Sequence, residues 1–179
     1  MQKTFKKNYS KIGILGGTFD PPHIGHLYIS KIALKKLKLN KIIWVVTKKN
    51  PLKKKPLLKI KNRISLSKKI TEKEKKIFVK YYDDKIRSTR TYDLLNYIKK
   101  RNINTKLFFL IGADNLTKLH KWHNWQQIPK LAKIVVLARQ NYSIKSLKSA
   151  VYKKLTKKDL IYINSKKINI SSSLIRKNW

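Results

Sequence analysis

The sequence predicts a single α/β domain built on a mainly parallel, doubly wound sheet, and two interleaved patterns carry that prediction. Short runs rich in Ile, Val and Phe recur at Lys11 to Leu15, Lys41 to Thr47, Ile77 to Asp83, Thr105 to Ile111, Lys133 to Ala138 and Leu160 to Asn164, each of strand length. Between them lie apolar residues at helical spacing: Ile29, Ile32, Ala33 and Leu37, then Leu94, Leu95 and Ile98, then Ile144, Leu147, Val151 and Leu155. Strand and helix alternate along the chain. Such alternation favours parallel strands joined by right-handed crossovers, with helices on both faces. Ligands of such sheets bind at the carboxyl ends of the strands, so the strand-to-helix loops are where function is expected.

Length and composition agree with this architecture. The 179 residues make about one domain. A domain of that size buries roughly 70% of the surface its unfolded chain exposes, enough for a core and a cleft without metals or disulfides. Hydrophobic residues make up 41% and aromatics 10%, with only 5 Gly and 5 Pro, which excludes disordered and collagen-like chains. No apolar run approaches the roughly 20 residues of a membrane-spanning helix. Residues 1–10 read as a basic N-terminal tail; Ile12 to Leu15 is far too short for a signal-peptide core, and a cytoplasmic protein is expected. With no cysteine, disulfides, thiolate metal sites and cysteine nucleophiles drop out together.

The outlying property is charge. Against 8 Asp and Glu stand 45 Lys and Arg, a formal +37. Nucleic acid or an anionic membrane is one partner class for such a protein. The excess is mostly lysine spread through nearly every segment, however, which fits a solvated surface better than a localised footprint. Neither a membrane nor a specific nucleic acid is expected as partner, while anionic small substrates gain electrostatic steering. The segment Lys48 to Lys61, with Pro51, Pro56 and many lysines, has no strand pattern and reads as a mobile loop, a candidate lid.

The chemistry concentrates after the first strand, in Gly16-Gly17-Thr18-Phe19-Asp20-Pro21-Pro22-His23-Ile24-Gly25-His26. Gly16 and Gly17 allow the backbone to approach a phosphate with no Cβ in the way, and the following helix offers N–H groups and a positive dipole end. His23 and His26, three apart, share one face if both lie in the first helical turn, and both can address the same phosphate. A zinc reading of the pair is the alternative, and His120 with His123 repeats the spacing. Neither pair has a helix-spaced carboxylate as third ligand, so no protein-held metal is expected. Near the carboxyl end, Ser171, Ser172 and Ser173 precede Leu174-Ile175-Arg176, where hydroxyls, N–H groups and a guanidinium can converge on a phosphate chain.

On these residues the chain resembles the nucleotidyltransferases with an HxGH signature, and among them the bacterial nicotinate-mononucleotide adenylyltransferases. Ile170-Ser171-Ser172-Ser173-Leu174-Ile175-Arg176 resembles the family's second signature, usually ISSTxxR, and the likeness covers almost the whole chain. It implies a Rossmann-like fold and transfer of AMP from ATP to the 5′-phosphate of nicotinate mononucleotide, giving deamido-NAD and pyrophosphate, with Mg²⁺ bound with ATP. Other acceptors of this superfamily, pantetheine phosphate or nicotinamide mononucleotide, are the alternatives, and a basic nucleic-acid-binding protein is a further one.

The resemblance also implies roles. His23 and His26 are the catalytic pair; Gly16, Gly17, Thr18, Phe19, Lys53, Arg139, Ser172, Ser173 and Arg176 bind ATP and its phosphates; Thr91, Asp114 and Trp122 hold nicotinate mononucleotide. Backbone N–H groups near Thr91 would meet the nicotinate carboxylate. An Asp just beyond a buried strand can accept ribose hydroxyls, and a Trp can stack on a pyridine ring. Four positions depart from the family: Leu52 stands for a histidine of Pro-Pro-His-Lys, Gln140-Asn141 for Pro-Gly after Arg139, and Leu94 for a common threonine.

Overall fold

The structure, a computed structural model, describes residues 9–139, 146–156, 158–165 and 171–177. β1 (Ser10–Gly17) leads into α1 (Ile24–Leu37), and β2 (Lys41–Val46) into α2 (Ile60–Thr71). β3 (Ile77–Lys80) is followed by α3 (Asp83–Ile86) and α4 (Thr91–Lys100). After β4 (Thr105–Gly112) come α5 (Ala113–Leu116), 3-10 turns at Leu119–Lys121 and Trp125–Gln127, and α6 (Ile128–Leu131). β5 (Lys133–Arg139), α7 (Ala150–Lys154), β6 (Leu160–Ser165) and α8 (Ser172–Arg176) complete the described chain.

All six strands pair in parallel in the order β3-β2-β1-β4-β5-β6. The chain crosses from one half of the sheet to the other between β1 and β4, which is the switch point where such folds bind nucleotides. The parallel strands are apolar on both faces, as burial on both sides demands. Ile12, Ile14, Ile43, Val45, Phe109 and Ile111 pack with Leu95 of α4 and Ile128 of α6. Leu15, Trp44, Val46, Phe108 and Leu110 pack with Leu27 and Ala33 of α1. Each fully buried Leu or Ile contributes roughly 1.5–3 kcal/mol by leaving water. Gly13 is there for space: a Cβ would lie 2.8 Å from Ile42 Cγ1 and 2.9 Å from Leu39 Cδ1.

The structure departs from the sequence reading at several element boundaries. The segment expected as a loop through Lys61 gives way to α2 at Ile60, a helix the apolar spacing hides because its buried positions are Arg63, Ser67 and Thr71, a polar stripe at i, i+4 and i+8. Ser67 Oγ donates to the Arg63 carbonyl at 2.7 Å and Thr71 Oγ1 to the Ser67 carbonyl at 2.9 Å, so the stripe satisfies itself. β3 ends at Lys80 rather than Asp83, because Asp83 opens α3. The third expected helix is shorter: Ser149 caps α7 by accepting from the Tyr152 N–H at 3.2 Å, Leu155 lies past its end, and Ile144 is outside the described residues. β1 begins at Ser10, inside the span expected as a tail, whose residues 1–8 are also outside the described residues. Among the described residues no helix is long and apolar enough to cross a membrane.

Candidate active site

The first turn of α1 gathers the histidine pair. His23 is the N-cap, and its Nδ1 accepts from the Gly25 N–H at 3.1 Å. His26 is at N3, and its Nδ1 accepts from the His23 N–H at 3.2 Å, closing a capping box built from two imidazoles. The ring centroids are 3.9 Å apart. Because each Nδ1 accepts from a backbone N–H, each neutral ring carries its proton on Nε2. His26 is flanked by Phe19 at 4.9 Å and Trp44 at 5.9 Å, and Phe19 stacks on Trp44 at 5.0 Å. The Phe19 ring is therefore core, and what it offers a nucleotide is backbone in a left-handed turn at φ 48°.

Gly16 and Gly17 do not form a loop, as the sequence suggests, but finish β1, opposite Val45 and Val46. Neither has a positive φ, so their value is space. A Cβ on Gly16 would meet nothing nearer than Phe109 Cε2 at 3.9 Å, an ordinary contact beside the cavity that both residues line.

The carboxyl-terminal motif docks on the same loop across the chain. Ser171, not Ser172, is the N-cap of α8, accepting from the Leu174 N–H at 3.1 Å. Ser172 Oγ donates to the Pro21 carbonyl at 2.9 Å, and Arg176 Nη1 donates to the Asp20 carbonyl and lies 3.7 Å from its carboxylate. Arg176 Nη2 also donates to Ser173 Oγ at 3.1 Å. Ser172, Ser173 and Arg176 thus gather on Asp20 and Pro21, the residues that lead into His23.

Next to Gly16 and Gly17 opens a cavity of about 220 Å³. Its walls include Val45 and Thr47 of the β2 end, Asn50, Pro51 and Leu52 of the following loop, Thr91 at the start of α4, and Trp122. The Trp122 indole is half-buried and meets Phe109 edge-on at 6.0 Å, leaving part of its ring to the cavity. Thr91 is the first residue of a ten-residue helix, so the N–H groups of that turn are unpaired within the helix. Trp125 packs on the core and does not line the cavity. Asp114 lies exposed on α5 outside the cavity wall, with Lys53 in the turn after Asn50 also outside it. Arg139 ends β5, pairing with Ser165; its side chain is outside the described residues.

Sequence reasoning missed three buried charges that hold these parts together. Asp20 accepts from the Leu57 and Leu58 N–H groups, both at 2.9 Å, tying the loop after β2 to the histidine loop. Asp83 accepts from Thr47 Oγ1 at 2.8 Å and the Lys48 N–H at 2.7 Å. Burial pushes the Asp83 carboxyl above its ordinary value, against the pull of those donors. Arg63 is almost wholly buried and donates only to backbone carbonyls, those of Thr18, Thr47, Lys48 and Leu58. Its signal in the sequence is faint: an arginine in a chain whose cations are mostly lysine.

An all-parallel sheet with a cleft at its switch point, a glycine pair at the end of its first strand and a helix N-terminus carrying two imidazoles defines a Rossmann-like nucleotide-handling protein. The chain belongs to the cytidylyltransferase-like family, whose model matches residues 14–178. Its relatives narrow that class. A Pelagibacter ubique protein named "Probable nicotinate-nucleotide adenylyltransferase" is 48% identical, over 98% of this chain and 97% of its own length. A Clostridium tetani protein of the same name is 37% identical over 93% of this chain and 85% of its own. Among solved structures, Plasmodium falciparum nicotinic acid mononucleotide adenylyltransferase complexed with NaAD superposes with a TM-score of 0.76 at 25% identity, covering 94% of this chain and 83% of that one. The same enzyme complexed with APC gives the same values.

Proposed function

We infer that this protein is a nicotinate-nucleotide adenylyltransferase, a single-domain enzyme that transfers the AMP moiety of ATP to nicotinate mononucleotide to form deamido-NAD and pyrophosphate. The observation that carries the reading is that Gly16 and Gly17 floor the Trp122 cavity while their own loop runs into the His23–His26 pair, so an acceptor seat and a phosphate seat meet at one point.

The nucleophile comes with the substrate: a 5′-phosphate oxygen of nicotinate mononucleotide attacks the α-phosphorus of ATP, and the bond to the bridging oxygen breaks to release pyrophosphate. Catalysis then consists of alignment and charge neutralisation. The His26 Nε2–H stabilises charge on the transferred phosphoryl group, and His23 holds the phosphates beside it. Ser172, Ser173 and Arg176 hold the ATP tail, Thr18 and Phe19 offer backbone, Lys53 adds positive charge, and Arg139 contacts the nucleotide. On the acceptor side, the pyridine ring stacks on Trp122, its carboxylate meets the N–H groups of the turn begun by Thr91, and Asp114 accepts ribose hydroxyls. Among the described residues no group of three or more His, Asp or Glu could hold a metal ion. Asp20, the carboxylate nearest the histidines in sequence, is taken up by Leu57, Leu58 and Arg176. With no carboxylate cluster among the described residues to hold it, Mg²⁺ would be held chiefly by ATP itself and would supply charge neutralisation for the departing pyrophosphate. Both substrates are anions, and a +37 chain draws them in. Diffusible nucleotide substrates of this kind suit a cytosolic enzyme.

The test is pyrophosphate release from ATP and Mg²⁺ with nicotinate mononucleotide, nicotinamide mononucleotide and pantetheine phosphate as rival acceptors. Preference for the nicotinate acid is expected. Preference for another acceptor would overturn the assignments of Thr91, Asp114 and Trp122, and silence with all three would overturn the reading.

A further inference from the structure

The four carbonyls that Arg63 binds belong to two different parts of the site. Thr18 follows the glycine pair on the way to His23, whereas Thr47, Lys48 and Leu58 bracket the loop whose Asn50, Pro51 and Leu52 wall the cavity. Nη1 alone spans the two, donating to both Thr18 and Thr47. The side chain is 2% exposed and reaches no cavity wall, so it touches neither substrate. A planar guanidinium places several donors in a rigid fork, which a lysine ammonium does not reproduce. Burial works against the Arg63 charge, and Asp20 and Asp83 offset part of that cost; Asp20 lies in the histidine loop itself and holds Leu57 and Leu58, while Asp83 holds Thr47 and Lys48 at the other end of the loop after β2.

We propose that Arg63 is a positioning residue for adenylyl transfer: by clamping the Thr18 carbonyl to the Thr47 and Lys48 carbonyls, it sets the distance between the donor phosphate seat and the acceptor cavity. The proposal rests on the transferase reading. In-line attack tolerates little error in that distance, and a misplacement of about 1 Å costs on the order of a hundredfold in rate.

Arg63→Lys keeps the charge and loses the fork, and Arg63→Met removes both. Each is compared with wild type for melting temperature, for binary affinities of ATP and of nicotinate mononucleotide, and for kcat of pyrophosphate release. Expected is a folded Arg63→Lys protein whose binary affinities stay within about threefold while kcat falls roughly ten- to a hundredfold, with Arg63→Met lower still. Added guanidinium ion should raise the kcat of Arg63→Met, whereas equimolar urea should not. The proposal is overturned if a folded variant keeps kcat within about threefold of wild type, if binary affinities fall in step with kcat, or if guanidinium fails to restore turnover. Failure of both variants to fold also overturns it, since Arg63 would then be holding the fold. A wild type inactive with every acceptor would instead condemn the transferase reading, and the two failures are distinct.

Discussion

If the proposed function holds, Trp122→Ala should separate the acceptor half of the site from the donor half. The indole touches Phe109 edge-on at 6.0 Å and gives the rest of its ring to the cavity, while the histidines and α8 sit on other elements. Stacking of a flat heteroaromatic ring on an aromatic side chain is worth roughly 1–3 kcal/mol by alanine substitution, so the KM for nicotinate mononucleotide should rise about 5- to 150-fold. The KM for ATP should hardly move. Stability falls as well: a fully buried Trp→Ala costs about 3–5 kcal/mol, so this half-buried one costs about 2 kcal/mol, or about 4–8 °C in Tm for a chain this long. Initial rates of pyrophosphate release, each substrate varied with the other saturating and well below the variant's Tm, measure both constants. Trp122→Phe should recover most of the loss. Proportional rises in both KM values, or a nicotinate KM within about twofold of wild type, would refute the stacking role.

Other outcomes follow from the same geometry. His26→Ala should lower turnover about 10²- to 10³-fold through loss of one transition-state donor, and should cost about 1 kcal/mol of stability because the His23 N–H loses its capping acceptor; turnover near wild type sinks the role. Gly16→Ala should fold with unchanged or slightly raised stability, by about 0.4–1 kcal/mol, since its Cβ meets only Phe109 at 3.9 Å, yet it should weaken substrate binding because it adds bulk at a residue that lines the cavity. Unimpaired KM values would show that no ligand comes close to Gly16. For Asp83, burial raises the folded carboxyl above its unfolded value of 3.8, so the stability it contributes is fully present below about pH 3.8 and is lost as pH rises through the raised value. Asp83→Asn removes that loss, so the Tm of the variant relative to wild type should rise as pH increases from about 3.8 through the raised value, and level off above it. A difference that shrinks over the same range would mean that the folded carboxyl is held below its unfolded value instead.

Much of this molecule is legible in the chain because the information is local. Strand-length apolar runs can only satisfy both faces of a buried parallel sheet, and all six became strands, at Ser10–Gly17, Lys41–Val46, Ile77–Lys80, Thr105–Gly112, Lys133–Arg139 and Leu160–Ser165. The Gly16-Gly17 and His23-x-x-His26 spacings act within one strand end and one helical turn, so they too could be read directly. Trp122 and Thr91 could be placed near each other only through likeness to a family, and the cavity they share comes from elements far apart in sequence.

What tertiary structure alone decided is the buried polar framework. α2 was hidden from hydrophobic periodicity because its fully buried positions are Arg63, Ser67 and Thr71, residues that composition assigns to the surface, while Ile60, Ile64 and Ile70 are only half-buried against the core. Arg63 is buried because the loop ends it meets expose carbonyls that need donors, a need that exists only once β1, β2 and the loop after β2 have come together, while Ser67 and Thr71 donate to carbonyls of their own helix. Asp83 left the end of a strand to start a helix for the complementary reason, as the acceptor claimed by the Thr47 hydroxyl and the Lys48 N–H of a neighbouring loop. Arg176 was readable as a phosphate-facing cation, but not as a partner of Asp20, since nothing in a linear chain signals a contact across more than 150 residues. Apolar burial follows a pattern along the chain, whereas the partners of buried charges are chosen by the fold.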